Sequence, residues 1–282
     1  MKFSVFQDSR KGGRKLNEDS MGYCYSSEAL MMIVADGMGG HPEGEVASKL
    51  TLNVMIDCFR AQATPRLQDE AAFLEAALLE ANETLVRYAR LKDLEDSPRT
   101  TLVAAVIQDG QLTWVHCGDS RLYVVRQGAV LAKTLDHSLA ERDRQLGRMD
   151  ASAFPASRNA LFTCIGSVTR PIFNIAGPLP LRQDDRILLC SDGMWSVIEE
   201  QVLVEGLIQG PVQQAVPELV AQALDLGGPN SDNVTCVALT WEDEDDFVST
   251  NRNMLPTDNG VPADDSVQAG AVQVYAGVSK AH

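Results

Sequence analysis

The sequence predicts an α+β protein built in layers, with helices in pairs over the faces of largely antiparallel sheet. Three observations lead there. Strand-like apolar runs outnumber helical segments, many of the strands follow one another through short turns, and the two clearest helices are consecutive. Parallel neighbours need a long crossover, so short turns favour antiparallel order over a βαβ dinucleotide-type sheet. The length of 282 residues suits one large domain or two small ones, with ample core either way.

In chain order, MMIVADG reads as a strand ending at Asp36. The spacing of Val46, Leu50, Val54 and Phe59 predicts a helix over Glu45–Arg60, and that of Phe73, Ala77, Ala81, Leu85 and Tyr88 predicts a second over Gln68–Arg90. TLVAAVIQDGQLTWVHCG holds a hairpin signal, Asp109-Gly110 between apolar runs, and RLYVVRQGAVLAKTL repeats the pattern around Gly128. RILLCSDG and NVTCVALTW are further strands, separated by a helix over Val216–Leu226 that stops at Gly227-Gly228. Residues 1–241 form one unit. From Glu242 the chain turns into an acidic run followed by turn-rich, aperiodic sequence, and 242–282 carries 8 acidic and 2 basic residues. That composition predicts a disordered, solvated tail, with a docking or regulatory tail as the alternative.

Composition narrows the function classes. Basic residues number 24 and acidic residues 39, a formal charge of −15. A nucleic-acid binder needs a basic stripe to displace counterions, and an anionic membrane face repels such a chain. Acidic chains suit metal-using proteins or cationic partners. The longest apolar runs, Ala29–Ala35 and Leu102–Ile107, are strand-sized, well below the roughly 20 residues of a spanning helix. The stretch MKFSVFQDSRKGG lacks the apolar core of a signal peptide, so a cytoplasmic protein is expected. Cys24, Cys58, Cys117, Cys164, Cys190 and Cys236 form no CxxC pair and read as buried free thiols.

The chemistry lies in the acids. Asp36 and Asp192 each end an apolar strand, Asp232 stands just before one, Asp119 follows VHCG, and Glu18-Asp19 adds two more. Carboxylates at strand ends can converge on one sheet edge, and so many anions together need a cation to neutralise them. All-oxygen ligation points to Mg²⁺ or Mn²⁺, and the histidines His41, His116, His137 and His282 show no zinc spacing. Asp-Gly is also a common turn dipeptide, so a single such site would carry little weight. Gly37-Met38-Gly39-Gly40 is not a dinucleotide fingerprint, and Glu45 stands where a P-loop needs lysine. Those glycines suit a close carbonyl approach to a metal, or the turn into the helix at Glu45. Arg14, four residues before Glu18, suits a phosphate clamp; with Arg10, Lys11 and Lys15 beside it, it reads equally as surface charge.

Taken in order, RKLNED (14–19), VADGMGG (34–40), Thr100-Thr101, CGDSR (117–121), DHS (136–138), LLCSDGMW (188–195) and SDNVT (231–235) make the chain resemble the PPM (type-2C) metal-dependent serine/threonine protein phosphatases, in their compact bacterial form. The resemblance covers the chain to about residue 240. It implies a central β-sandwich of two antiparallel sheets flanked by helix pairs, four layers in the order αββα. It implies that Asp36 bridges two Mn²⁺ or Mg²⁺ ions, that Asp192 and Asp232 complete the first, and that Glu18 and the Gly37 carbonyl hold the second. Asp19 then holds metal-bound water, Asp119 with Asp192 makes a third metal site, and Arg14 binds the substrate phosphate. Residues 139–160 correspond to a flap near the site. Two departures stand out: Met38 replaces the histidine that some relatives carry after the DG, as is usual in bacterial members, and Arg99 replaces the usual glycine before Thr100-Thr101. His137 is expected to be structural.

The expected activity is hydrolysis of phosphoserine and phosphothreonine by direct attack of a metal-bridging hydroxide, without a phosphoenzyme. The expected partners are phosphorylated proteins, substrates of a serine/threonine kinase, met by a monomer; nucleic acid and membrane are not expected. The alternatives are a regulatory pseudophosphatase or phosphoprotein-binding module, and a phosphatase that acts on an anti-sigma antagonist.

Overall fold

The computed structural model describes residues 1–39, 41, 43–147 and 160–243, and the backbone of 273–276. A strand buried on both faces reads as an unbroken apolar run, and the sequence has several. ALMMIVAD forms β3 (Ala29–Asp36), whose first seven residues are all buried, and LVAAVIQ forms β4 (Leu102–Gln108), buried throughout. The period of two along a strand splits these runs between two cores. Met31 and Ile33 face helices, while Leu30, Met32 and Val34 face a second sheet.

Two antiparallel sheets result. One has the order β1 (Phe3–Arg10), β10 (Val234–Trp241), β9 (Arg186–Cys190), β6 (Arg121–Arg126), β7 (Ala129–Lys133). The other runs β11 (Gln273–Ala276), β2 (Asp19–Tyr25), β3, β4, β5 (Gln111–Cys117), β8 (Asn174–Pro180). Helices α1 (Gly44–Gln62) and α2 (Glu70–Leu91) pack on the outer face of the second sheet. Helices α5 (Glu200–Ile208) and α6 (Val212–Gly227) cover the first. Of two short helices, α3 (Leu139–Gln145) buries no residue, and α4 (Asp192–Trp195) adds Met194 to the core under α5 and α6. This is the αββα sandwich expected, and all three interlayer cores are apolar.

Several elements depart from the sequence expectation. The buried stripe of α1 is Ala47, Leu52, Met55, Ile56 and Phe59, while Val46, Leu50 and Val54 are only partly buried. The larger Leu52–Met55–Ile56–Phe59 set takes the inner face and turns the helix by about one residue. In α2 the expected Phe73, Ala77, Ala81 and Leu85 are buried, and Ala89 rather than Tyr88 closes the stripe. Helix α6 begins four residues before Val216 and carries Pro217 inside it, a residue that ordinarily marks a first turn. Strands β1, β2 and β8 and helix α5 have no clean apolar run or period. β1 is half-buried along most of its length and gains its conformation from pairing with β10.

The hairpins lie where expected: Asp109 and Gly110, and Gln127 and Gly128, all take positive φ at the β4–β5 and β6–β7 turns. Five cysteines are buried, Cys58 partly so, and all six are free. Of the tail expected to be disordered, Gln273–Ala276 form β11, antiparallel to β2 from Tyr25 to Gly22; residues 244–272 and 277–282 lie outside the described residues. Of the expected flap, α3 is described, capped by Ser138, whose Oγ accepts from the Glu141 N–H; residues 148–159 lie outside.

Phe59 is fully buried and meets Phe73 edge-on at 6.0 Å. Phe59→Ala is expected to lower unfolding free energy by about 3–5 kcal/mol in denaturant titration. Leu91→Ala, at a side chain 81% exposed, should cost no more than ~0.5 kcal/mol. Equal losses at the two sites would contradict the assigned core.

Candidate active site

All the acidic residues picked out from the sequence lie at one end of the sandwich. Glu18 precedes β2, Asp19 opens it and Asp36 closes β3, so these three come from the six-stranded sheet. Asp192 follows β9 and Asp232 precedes β10, neighbours in the five-stranded sheet. Two connections cross between the sheets at this end. The β1–β2 loop carries Arg14 and the β5–β6 loop carries Asp119. A cleft of about 360 Å³ opens at the seam, lined by Arg14, Glu18, Asp36, Gly37, Asp119, Asp192 and Asp232. Asp19 sits behind this lining, opposite Asp36 in the β2–β3 register.

Each carboxylate is held by its backbone or by a neighbour. The Asp36 N–H donates to Thr101 Oγ1 at 3.1 Å, and the Asp36 carbonyl accepts from the Thr101 N–H and Thr100 Oγ, both at 2.8 Å. Gly37 donates its N–H to the Glu18 carbonyl, and a Cβ there would lie 2.3 Å from the Gly44 carbonyl oxygen. Only glycine permits that approach, which brings the start of α1 against the end of β3. Gly12 has φ +62°, and its Cβ would meet the Asp232 carbonyl oxygen at 2.2 Å.

Asn233 ties the β1–β2 loop down. Its Oδ1 accepts from the Glu18 N–H at 2.8 Å, and its Nδ2 donates to the carbonyls of Lys11 and Leu16 at 2.7 and 2.9 Å. Arg14 Nη2 donates to Asp232 Oδ2 at 2.5 Å. Trp195 donates its indole N–H to the Asp119 carbonyl at 2.9 Å. His137 stands outside the cleft lining. Its Nδ1 accepts from the Gly118 N–H, so Nε2 carries the proton donated to Asn174 Oδ1.

The electrostatics are those of an under-neutralised anion cluster. Burial, then the charges of Asp19, Asp192, Asp119 and Asp232, push the Asp36 carboxyl well above the usual range. Burial pushes Asp19 up to about 7 and Asp119 up to about 8, and it also raises Asp192 and Glu18. Arg14 and Lys15 are the cationic residues of the lining. Asp19 Oδ2 accepts from Ser191 Oγ at 2.8 Å, but its Oδ1 is buried with no hydrogen-bond partner.

Among the described residues, no three His, Cys, Asp or Glu side chains stand grouped as a ready-made metal shell. The carboxylates line the cleft without closing on a point. The donors are all oxygen, crowded, short of positive charge and one atom short of partners. Together they fit hard divalent cations.

Signs follow for pH. An acid whose pKa rises on folding binds its proton more tightly in the folded state. Its stabilising contribution is complete below its ordinary pKa of 3.8 and is lost as pH rises through about 7 for Asp19 and about 8 for Asp119. With chelator present, the protein should melt at a higher temperature near pH 6 than near pH 8.5, and Mn²⁺ should remove most of that deficit. A metal-free melting temperature that rises with pH over this range would contradict the assignment.

Four positioning residues have no role in the sequence expectation: Thr101, Ser191, Asn233 and Trp195. Their motifs are visible, but the partners named above lie 65 to 222 residues away. Lys15, Leu16 and Leu161 also line the cleft; the first two lie inside RKLNED without an expected role there, and nothing in the sequence pattern marks Leu161.

The chain is similar to known proteins in sequence and fold. The family model for protein phosphatase 2C matches residues 7–224. The serine/threonine phosphatase stp of Listeria innocua is 30% identical over 236 residues, covering 82% of this chain and 92% of that protein. PstP of Mycobacterium tuberculosis is 31% identical over 241 residues, 82% of this chain and 43% of the longer relative. The PstP catalytic domain in complex with 2 manganese ions superposes with a TM-score of 0.70 at 30% identity, over 86% of this chain and 99% of that one. Stp1 from Staphylococcus aureus superposes with a TM-score of 0.76 at 26% identity, over 86% and 96% of the two chains. The chain belongs to the protein phosphatase 2C family, the PPM-type serine/threonine phosphatases of bacteria.

Proposed function

We propose that this cleft hydrolyses phosphoserine and phosphothreonine in proteins with two divalent cations bound, Mn²⁺ or Mg²⁺, and room for a third. The observation that carries the proposal is the meeting of carboxylates from both sheets in one cleft, with a buried, unpartnered Asp19 Oδ1 behind it. Asp36 would be shared between the two cations, with Asp192 and Asp232 on one and Glu18 and the Gly37 carbonyl on the other. Asp119 with Asp192 suits a third. Bound there, the cations supply an activated water and neutralise charge on the phosphoryl oxygens.

The chain's own residues do the rest. Arg14 presents its guanidinium at the cleft mouth, where it pairs with Asp232 and can fork onto a phosphate. Asp19, fixed by Ser191, keeps one carboxylate oxygen without a protein partner behind the cleft, suited to orienting water. The thioether of Met38 lines the cleft and has no proton to give, so the proton for the leaving oxygen comes from water or another group.

The catalytic unit is residues 1–241, with 242–282 appended. Among the described residues no helix is long and apolar enough to cross a membrane, and we place the protein in the cytoplasm as a monomer acting on the products of a serine/threonine kinase.

A phosphothreonine peptide should release phosphate with Mn²⁺ and stop on chelation. Asp36→Asn and Asp192→Asn should each lower kcat on the order of 10²–10³-fold while keeping the circular dichroism of the parent. Full turnover in either variant would sink the mechanism, and a folded parent without metal-dependent turnover would instead favour a binding module. Arg14→Ala should raise KM for phosphopeptide about tenfold or more, and Arg14→Lys should rescue it only in part, because ammonium lacks the planar fork. Brief treatment with a thiol-blocking reagent should leave activity intact, since no cysteine lines the cleft.

A further inference from the structure

The wall of the cleft that carries Arg14 also carries two residues the chemistry above does not use, Lys15 and Leu16. Leu16 leaves 56% of its surface to water. It does not hang on a loose loop. Its own carbonyl accepts from Asn233 Nδ2, and two residues on, the Glu18 N–H donates to Asn233 Oδ1. The backbone that follows the side chain is therefore fixed, the same Asn233 Nδ2 also holds the Lys11 carbonyl before it, and an exposed leucine is presented at a set place beside a polar cleft. Leu161, from the segment between α3 and β8, lines the same cleft. A cleft floored with carboxylates thus has apolar side chains from two separate segments in its walls. An apolar surface held open at a functional site is available to cover a ligand's apolar surface.

Lys15 adds charge to the same wall. Its neighbours Arg10 and Arg14 are paired with Asp8 and Asp232, whereas Lys15 has no ion-pair partner among the described residues. A free cation at this mouth stands out in a protein of net charge −15, and it favours anionic segments of an incoming chain. In an extended peptide, neighbouring residues lie about 3.3–3.6 Å apart along the chain. With the phosphate drawn to the cleft floor, the flanking side chains therefore fall at the mouth.

We propose that Leu16, with Leu161, seats an apolar side chain next to the phosphorylated residue, and that Lys15 draws the acidic residues around it. The preferred substrate is then a phosphopeptide with an apolar flanking residue in an acidic segment. This rests on the phosphatase reading and narrows its substrate class. Phosphothreonine peptides that differ only in the flanking residue, Leu, Gly, Asp or Lys, test it, with p-nitrophenyl phosphate as the substrate that has no flanking residue. Leu over Gly should give about a tenfold gain in kcat/KM, expressed mainly in KM. Leu16→Ser should bring that ratio close to one, and Lys15→Glu should reverse the order of the Asp and Lys peptides. Leu16→Ser should leave the rate on p-nitrophenyl phosphate unchanged. A Leu-to-Gly ratio near one in the parent, or one that survives Leu16→Ser while p-nitrophenyl phosphate is still turned over, overturns the seat alone. Absence of p-nitrophenyl phosphate and peptide hydrolysis in the parent overturns the phosphatase reading with it.

Discussion

Mutual repulsion among carboxylates is the constraint that the rest of the structure answers to. Glu18, Asp19, Asp36, Asp119, Asp192 and Asp232 meet at one end of the sandwich. Two unit charges about 4 Å apart interact by about 4 kcal/mol at an effective dielectric of 20. Several such pairs would drive a loosely built site apart. The fold resists this by tying each acid to rigid structure. Asp19 and Asp36 are the facing ends of paired strands, Asp192 opens a helix directly after a strand, and Asp232 sits beside Asn233, whose side chain is fully engaged. What the scaffold leaves unbalanced is charge, and burial together with that charge raises the pKa values of Asp36, Asp19 and Asp119.

The layered architecture explains how the acids come to be there. β3 and β10 alternate side chains between two cores, one under helices and one between sheets. The intersheet core, with Met32, Val34, Leu122, Leu189, Val237 and Leu239, fixes the two sheets against each other. It therefore also fixes Asp36 relative to Asp192 and Asp232. A core residue several turns of chain from the cleft sets the spacing of the site as surely as a direct neighbour does.

The parts legible in the sequence are those whose signal is local. Asp36 and Asp192 end buried strands, and a polar Asp-Gly after an apolar run is visible without a structure. The ordered motifs supplied the sandwich, which strand patterns alone did not. What was hidden depends on long-range pairing. β1 is a strand because β10 offers it a ladder, not because FSVFQDSR alternates cleanly. The sequence pattern places the inner face of α1 about one residue off, because Val46, Leu50 and Val54 also form a helical stripe and only packing against β3 selects the heavier one. The work of Asn233 is invisible for the same reason: its partners at Lys11, Leu16 and Glu18 lie more than 200 residues away.

The seam position of the cleft has a thermodynamic consequence. The carboxylates of Glu18, Asp19 and Asp36 belong to one sheet and those of Asp192 and Asp232 to the other. No contiguous stretch of the unfolded chain contains the donor set, and neither sheet holds it alone. A ligand that needs both halves binds the native state and leaves the denatured ensemble almost untouched, so all of its binding free energy is added to folding. A cation held by both halves, as proposed above, would act on the population of folded molecules as well as on turnover, and assembly of the sandwich and loading of the site would become two descriptions of one equilibrium.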